Sequence, residues 1–222
     1  MRLQEFSLHS IVPAARVEQV LAILAGISGM QAVRICEQTV LYRQLSPTKG
    51  QQRAQYHKLI RDVLNERSSW ILRAEDLPVA GNPTVISRSV LVNVAGSTEV
   101  VEQYREAGGN YKFVNQYLLQ GHRFTHHNLN IRVGQILCTP KEVGKSEPLE
   151  AAPPGVDQCS ALDPSGAYLF EVSGSVNDNN NSDLTNAVRK ELAEFQQKMK
   201  GVLDVHAPDR LSMDPRVKQT LV

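Results

Sequence analysis

The stretch from Tyr111 to Thr125, with its return over Leu129 to Leu137, constrains this chain more than any other. Tyr111, Phe113, Tyr117 and Leu119 share one parity, the period of a strand that turns one face to a core. Gly121 interrupts the pattern, and a one-residue bulge there would bring His122 and Phe124 back onto the same face. Thr125-His126-His127-Asn128 reads as a turn, and Leu129, Ile131, Val133 and Leu137 resume the alternation. Two strands joined this tightly are antiparallel. A strand of this length leaves bare edges unless a sheet closes around it, so the remaining sequence has to supply partners.

It supplies several. Gln4 to Val12 places Phe6 and Leu8 on one face and Glu5, Ser7 and His9 on the other, the pattern of a half-buried strand. Further strands are expected from Val33 to Tyr42, with Val33, Ile35 and Leu41 on one side. Others follow over Trp70 to Arg73, Ile86 to Val94 and Tyr168 to Val172. An early helix carries Val17, Val20, Leu21, Leu24 and Ile27 at spacings of three and four. Pro13 is tolerated at its start and Gly29 suits its stop. A late helix from Ser182 to about Lys200 aligns Leu184, Val188, Leu192, Phe195 and Met199 in one stripe, a packing or partner face. Asn179-Asn180-Asn181 reads as the loop that caps it. Another helix is expected after Ser97, with Val100, Val101, Tyr104 and Ala107 on one face. The fold class is therefore α+β: a mostly antiparallel, barrel-like sheet flanked by an early helix and a long C-terminal helix. Residues 1–222 read as a single domain with soft loops near 44–68 and 139–165. Leu59, Ile60, Val63 and Leu64 are expected to end a short helix in the first loop.

Charge and motifs remove most functional classes. The formal net charge is +1 from 24 basic and 23 acidic residues, whereas a chain that grips nucleic acid carries a clustered basic excess. Tyr111, Phe113 and Tyr117 have only Lys112 and Arg123 beside them, so they read as a core face rather than a base-stacking platform. No apolar run approaches the roughly 20 residues of a membrane span, and Met1 to Glu5 turns polar too early for a signal peptide. Cys36, Cys138 and Cys159 lie far apart, without a CxxC pair, and read as reduced thiols. His122, His126 and His127 near Cys138 match no zinc spacing. There is no GxSxG elbow, and Gly26-Ile27-Ser28-Gly29 and Gly108-Gly109 are helix stops without a phosphate-loop lysine.

The order of elements and several phrases resemble the subunit 18 family of the Mediator of RNA polymerase II transcription, in a fungal form. The phrases are Leu3-Gln4-Glu5-Phe6-Ser7-Leu8-His9 before the early helix, Tyr168-Leu169-Phe170-Glu171-Val172 before the late one, and Ala207-Pro208-Asp209-Arg210-Leu211 in the tail. Between them, Tyr117 to Phe124 resembles the family's glycine-histidine-x-phenylalanine strand through Gly121, His122 and Phe124, residues whose role reads as structural. Residues 44–68 and 139–165 match nothing in the family pattern. The resemblance implies a helix-flanked barrel in the Mediator head module, a heterodimer with subunit 20, and tethering by a C-terminal helix of subunit 8. It also implies a nuclear role bridging to RNA polymerase II and initiation factors. It implies no cofactor, no direct nucleic-acid contact and no membrane.

The same barrel resembles that of triphosphate tunnel enzymes, a metal-dependent phosphohydrolase alternative. Their first strand reads glutamate-x-glutamate-x-lysine, which supplies carboxylates for a divalent metal and a cation for phosphate. Here the stretch is Glu5-Phe6-Ser7-Leu8-His9, and the other strands offer single acids, Glu37 and Glu171. A non-catalytic barrel is the reading that fits.

Overall fold

Every described strand is antiparallel to its neighbours. In the computed structural model the described residues are 1–45, 55–65, 68–81, 84–95, 104, 110–139, 155–177 and 181–213. The strands are β1 (Arg2–Val12), β2 (Val33–Gln44), β3 (Tyr56–Asp62), β4 (Trp70–Glu75), β5 (Ile86–Ala95), β6 (Tyr111–His126), β7 (Leu129–Cys138), β8 (Ser160–Ala161) and β9 (Tyr168–Val176). In the order β1-β5-β4-β3-β2-β6-β7-β9, eight of them return to β1 and close a barrel. The short β8 extends the end of β7 beside Leu137 and Cys138. Helix α1 (Val17–Ser28) follows β1, and α2 (Ser182–Met199) follows β9.

Closure gives each strand an outer and an inner face. The outer face of β1, β6, β7 and β9 presents Phe6, Leu8, Phe124, Ile131, Val133, Phe170 and Val172. Val20 and Leu24 of α1 and Val188, Leu192, Phe195 and Met199 of α2 pack on that wall. Each such side chain contributes about 1.5–3 kcal/mol on burial. On the opposite wall Val40, Tyr42, Leu59 and Trp70 form a second cluster with Tyr104, Tyr111 and Phe113. Gly29 stops α1 with a left-handed φ of 68°, and the Asn181 side chain caps α2 by accepting from the Asp183 and Leu184 amides.

The α+β barrel with its two flanking helices stands as expected, but several local readings change. Leu59 to Leu64 does not form a helix: residues 56–62 are strand β3, paired with β2 on one side and β4 on the other. Helical and strand spacings fit such a short apolar run equally, and the open slot between two strands decides it. The first strand is not half-buried, because closure turns Glu5 and Ser7 into the barrel and leaves them 5% and 1% exposed. In β2 the side with Cys36, Gln38, Val40 and Tyr42 is the fully buried one, while Val33 is exposed.

No bulge occurs at Gly121, where the pairing of β6 with β7 runs through without a shift. The register slips instead where Leu41 pairs Asn115 and Tyr42 pairs Phe113, leaving Val114 as the extra residue. Tyr111 and Phe113 therefore face out, and Tyr117 and Leu119 face in. Leu184 leaves the stripe of α2 and is exposed, since the wall contacts of the helix begin at the half-buried Thr185. The helix expected after Ser97 lies outside the described residues apart from Tyr104, and so do residues 46–54 and 140–154 of the two soft loops.

Candidate functional site

The alternation that sends apolar residues outward sends charged ones inward, and the inner faces of seven strands meet there. Glu5 on β1 receives both Arg73 of β4, whose Nη2 lies 2.7 Å from each carboxylate oxygen, and Arg88 of β5, with Nε at 2.9 Å and Nη2 at 2.8 Å. Glu75 of β4 accepts from Arg88 Nη1 and from Lys58 Nζ of β3, each at 2.8 Å, and pairs with Arg73 as well. Across the interior, Arg132 of β7 donates to Glu37 of β2 at 3.1 Å and to Glu171 of β9 at 3.3 Å. His9 Nε2 lies 3.1 Å from the Ser7 hydroxyl.

The electrostatics follow from this pairing. Burial alone would raise the Glu75 carboxyl, but Lys58, Arg88 and Arg73 outweigh it and hold that group well below the usual carboxylate range. Glu171 is likewise lowered, with Arg132 the leading charge against the cost of burial. Burial also opposes the Arg73 guanidinium, yet Glu5 and Glu75 raise it above its ordinary value. His9 is lowered by burial, only partly offset by Glu171.

This arrangement does not fit a divalent metal or a polyphosphate. A metal takes several carboxylate oxygens, and Glu5, Glu37, Glu75 and Glu171 already give theirs to guanidinium and ammonium groups. A phosphate chain takes uncompensated cations, and Arg73, Arg88, Arg132 and Lys58 are committed to those carboxylates. Ser7 and His9 stand where the tunnel signature has its second glutamate and its lysine. The interior is a neutralised polar core.

The other sequence-flagged residues fall elsewhere. Phe124 is fully buried in the outer wall, while His122 is half-buried beside Arg34. Gly121 faces Gly134. His126 pairs Leu129 while Cys138 pairs Tyr117, so these two lie at opposite ends of one hairpin. His126 serves the α2 seam, where its ring meets Lys198 at 3.1 Å and Glu191 accepts from the neighbouring Asn128 side chain at 2.7 Å. Sequence reasoning found Glu5, Glu37 and Glu171 but missed Arg73, Glu75, Arg88, Lys58 and Arg132. The available signal was parity, since these residues occupy the strand positions between outward-facing ones.

A family model described as Med18 protein matches residues 4–216. The chain is 27% identical over 154 residues to the Mediator of RNA polymerase II transcription subunit 18 of Aspergillus oryzae, covering 69% of this chain and 56% of that protein. It is 30% identical over 159 residues to the subunit of the same name from Coccidioides immitis, covering 71% and 58%. The chain thus spans a little over half the length of these curated relatives. In three dimensions it is similar to a chain in the Schizosaccharomyces pombe Mediator head module, with a TM-score of 0.72 at 19% identity, covering 92% of this chain and 98% of that one. That likeness establishes the shared barrel. The family match takes in every strand and both helices of the barrel, and on that extent the chain belongs to the Med18 protein family.

Proposed function

We propose that this chain is a non-catalytic subunit of the Mediator head module, acting in RNA polymerase II transcription in the nucleus. The observation that carries the reading is the match over residues 4–216 to a family whose relatives bear the subunit 18 name. The interior supports it, because a tunnel whose charges neutralise one another offers no centre for chemistry and leaves the outer surface to do the work. In this reading residues 1–222 act as one domain, subunit 20 forms a heterodimer with it, and a C-terminal helix of subunit 8 tethers the pair. The assembly then meets RNA polymerase II and initiation factors.

The test is co-expression with the subunit 20 partner, followed by size exclusion with light scattering. A 1:1 complex tighter than about 1 μM, or roughly −8 kcal/mol, is expected. With near-zero net charge it should weaken little between low and physiological salt. Separate monomers at micromolar concentration would reject the reading.

A further inference from the structure

A cavity of about 350 Å³ lies on the outer wall where β2, β6 and β7 run side by side, lined on its open side by Leu64 and Val156. Its volume is at the lower end of the range for ligand pockets, about 300–1,000 Å³. Its floor is polar by register. Arg34 of β2 sits directly beside His122 of β6, and Gln120 of β6 sits directly beside Gln135 of β7.

Arg34 is exposed at the rim of the cavity. The arginines of the interior are paired with carboxylates, whereas among the described residues Arg34 has neither an ion-pair nor a hydrogen-bond partner. The acid at the end of β3 already has a partner. Asp62 accepts from the Leu64 amide at 2.9 Å. His122 Nδ1 is buried with no hydrogen-bond partner. An unpaired lone pair costs less than an orphaned N–H, which assigns the ring proton to Nε2 and makes that atom a donor. Gln135 Nε2 donates to the Gly166 carbonyl at 2.6 Å, which leaves its Oε1 as an acceptor.

A fork of cationic donors, a ring N–H donor and a fixed amide acceptor between apolar shoulders describes one kind of ligand. We propose that this pocket receives a glutamate or aspartate side chain from a protein partner. The carboxylate sits on Arg34 and His122, a backbone N–H of the same segment reaches Gln135, and its methylene and neighbouring carbons lie against Leu64 and Val156. The single unpaired guanidinium suits a carboxylate monoanion better than a phosphate dianion. The acceptor on Gln135 favours a peptide over a free small acid. The choice of partner rests on the assembly function proposed above; the pocket chemistry does not.

Two measurements test it. The first titrates the isolated chain with N-acetyl-glutamate amide, following the Arg34 Nε–H and His122 ring resonances, with N-acetyl-glutamine amide as the neutral control. Saturable shifts with the acid alone, abolished in Arg34→Gln, are expected. No shifts, or equal shifts with both compounds, would overturn the pocket. The second compares wild type and Arg34→Gln in the reconstituted complex with subunits 20 and 8. About tenfold weaker assembly at unchanged melting temperature is expected for loss of one charge-assisted contact. A positive titration with unchanged assembly would overturn the protein partner and leave a site for small carboxylates. Failure of the wild-type chain to assemble would instead reject the proposed function, with the titration still judging the pocket.

Discussion

Gly121 and Gly134 stand directly opposite one another across β6 and β7, so close that a methyl group on Gly121 would overlap the Val133 carbonyl oxygen. A methyl on Gly134 would come within 2.9 Å of the Gln120 carbonyl oxygen. The glycine of the family-like strand is therefore a spacer between two backbones. Gly121→Ala should cost about 1–3 kcal/mol, the usual range for overpacking, and more than Gly134→Ala. Urea unfolding of the two variants checks the order, and equal stability would contradict it.

The α2 seam makes a second prediction. Phe195 is 1% exposed and lies parallel to Phe170 with centroids 6.3 Å apart. Phe195→Ala should lose about 3–5 kcal/mol, a large share of a total stability of about 5–15 kcal/mol. Leu184→Ala, at an exposed position, should stay within about 0.5 kcal/mol of wild type. Equal losses at the two sites would place the helix differently.

Glu5 separates structure from chemistry. Glu5→Gln leaves Arg73 and Arg88 without their shared carboxylate inside the barrel, and breaking one side of a buried ion pair costs about 3–5 kcal/mol. Arg73 and Arg88 keep Glu75, so the lower end is expected. The wild-type chain, given tripolyphosphate with magnesium or manganese, should release no phosphate. Metal-dependent release that vanishes in Glu5→Gln would revive the enzyme.

Acidification should destabilise the fold in two stages. His9 and His57 are both lowered, chiefly by burial, so the folded chain binds fewer protons than the unfolded chain just below the ordinary histidine value of about 6.5. Their contribution is complete above that value and declines as pH falls below it. Glu75 and Glu171 are lowered too, so theirs is complete above about 4.3 and is lost as pH falls through their folded values. Urea midpoints at pH 7.5, 5.5 and 4 should fall in sequence. The His9→Gln, His57→Gln double variant should flatten the first interval.

The elements that sequence reasoning placed best have one wet side or one strong period. Val17 to Ile27 and Val188 to Met199 show helical spacing with glycine or asparagine at their ends, and the Leu129 to Leu137 return strand alternates cleanly. What escaped depended on closure. Glu5 and Ser7 look like surface residues until a barrel folds them inward, and Lys58 on the unrecognised β3 looks like loop polarity until Glu75 lies beside it. The bulge was misplaced because Gly121 has two possible uses, an extra residue or a close approach. Only the position of Gly134 on the neighbouring strand distinguishes them.

Strand β1 lies between β5 and β9, pairing Glu5 with Arg88 on one side and with Ser175 on the other. Past the end of β5, His9 exchanges two backbone hydrogen bonds with His206, at 2.8 and 2.9 Å. Strand β1, made before the other strands of the barrel, thus waits for β9, the last of them. Until β9 is made, the sheet from β5 to β7 has no closing partner, and β1 offers a free edge to any other nascent chain. Such long-range closure is slow and exposes the chain to aggregation during synthesis. A ribosome stalled before Tyr168 would hold an open sheet, with the carboxylates of β1 and β4 still wet and Arg132 without Glu171.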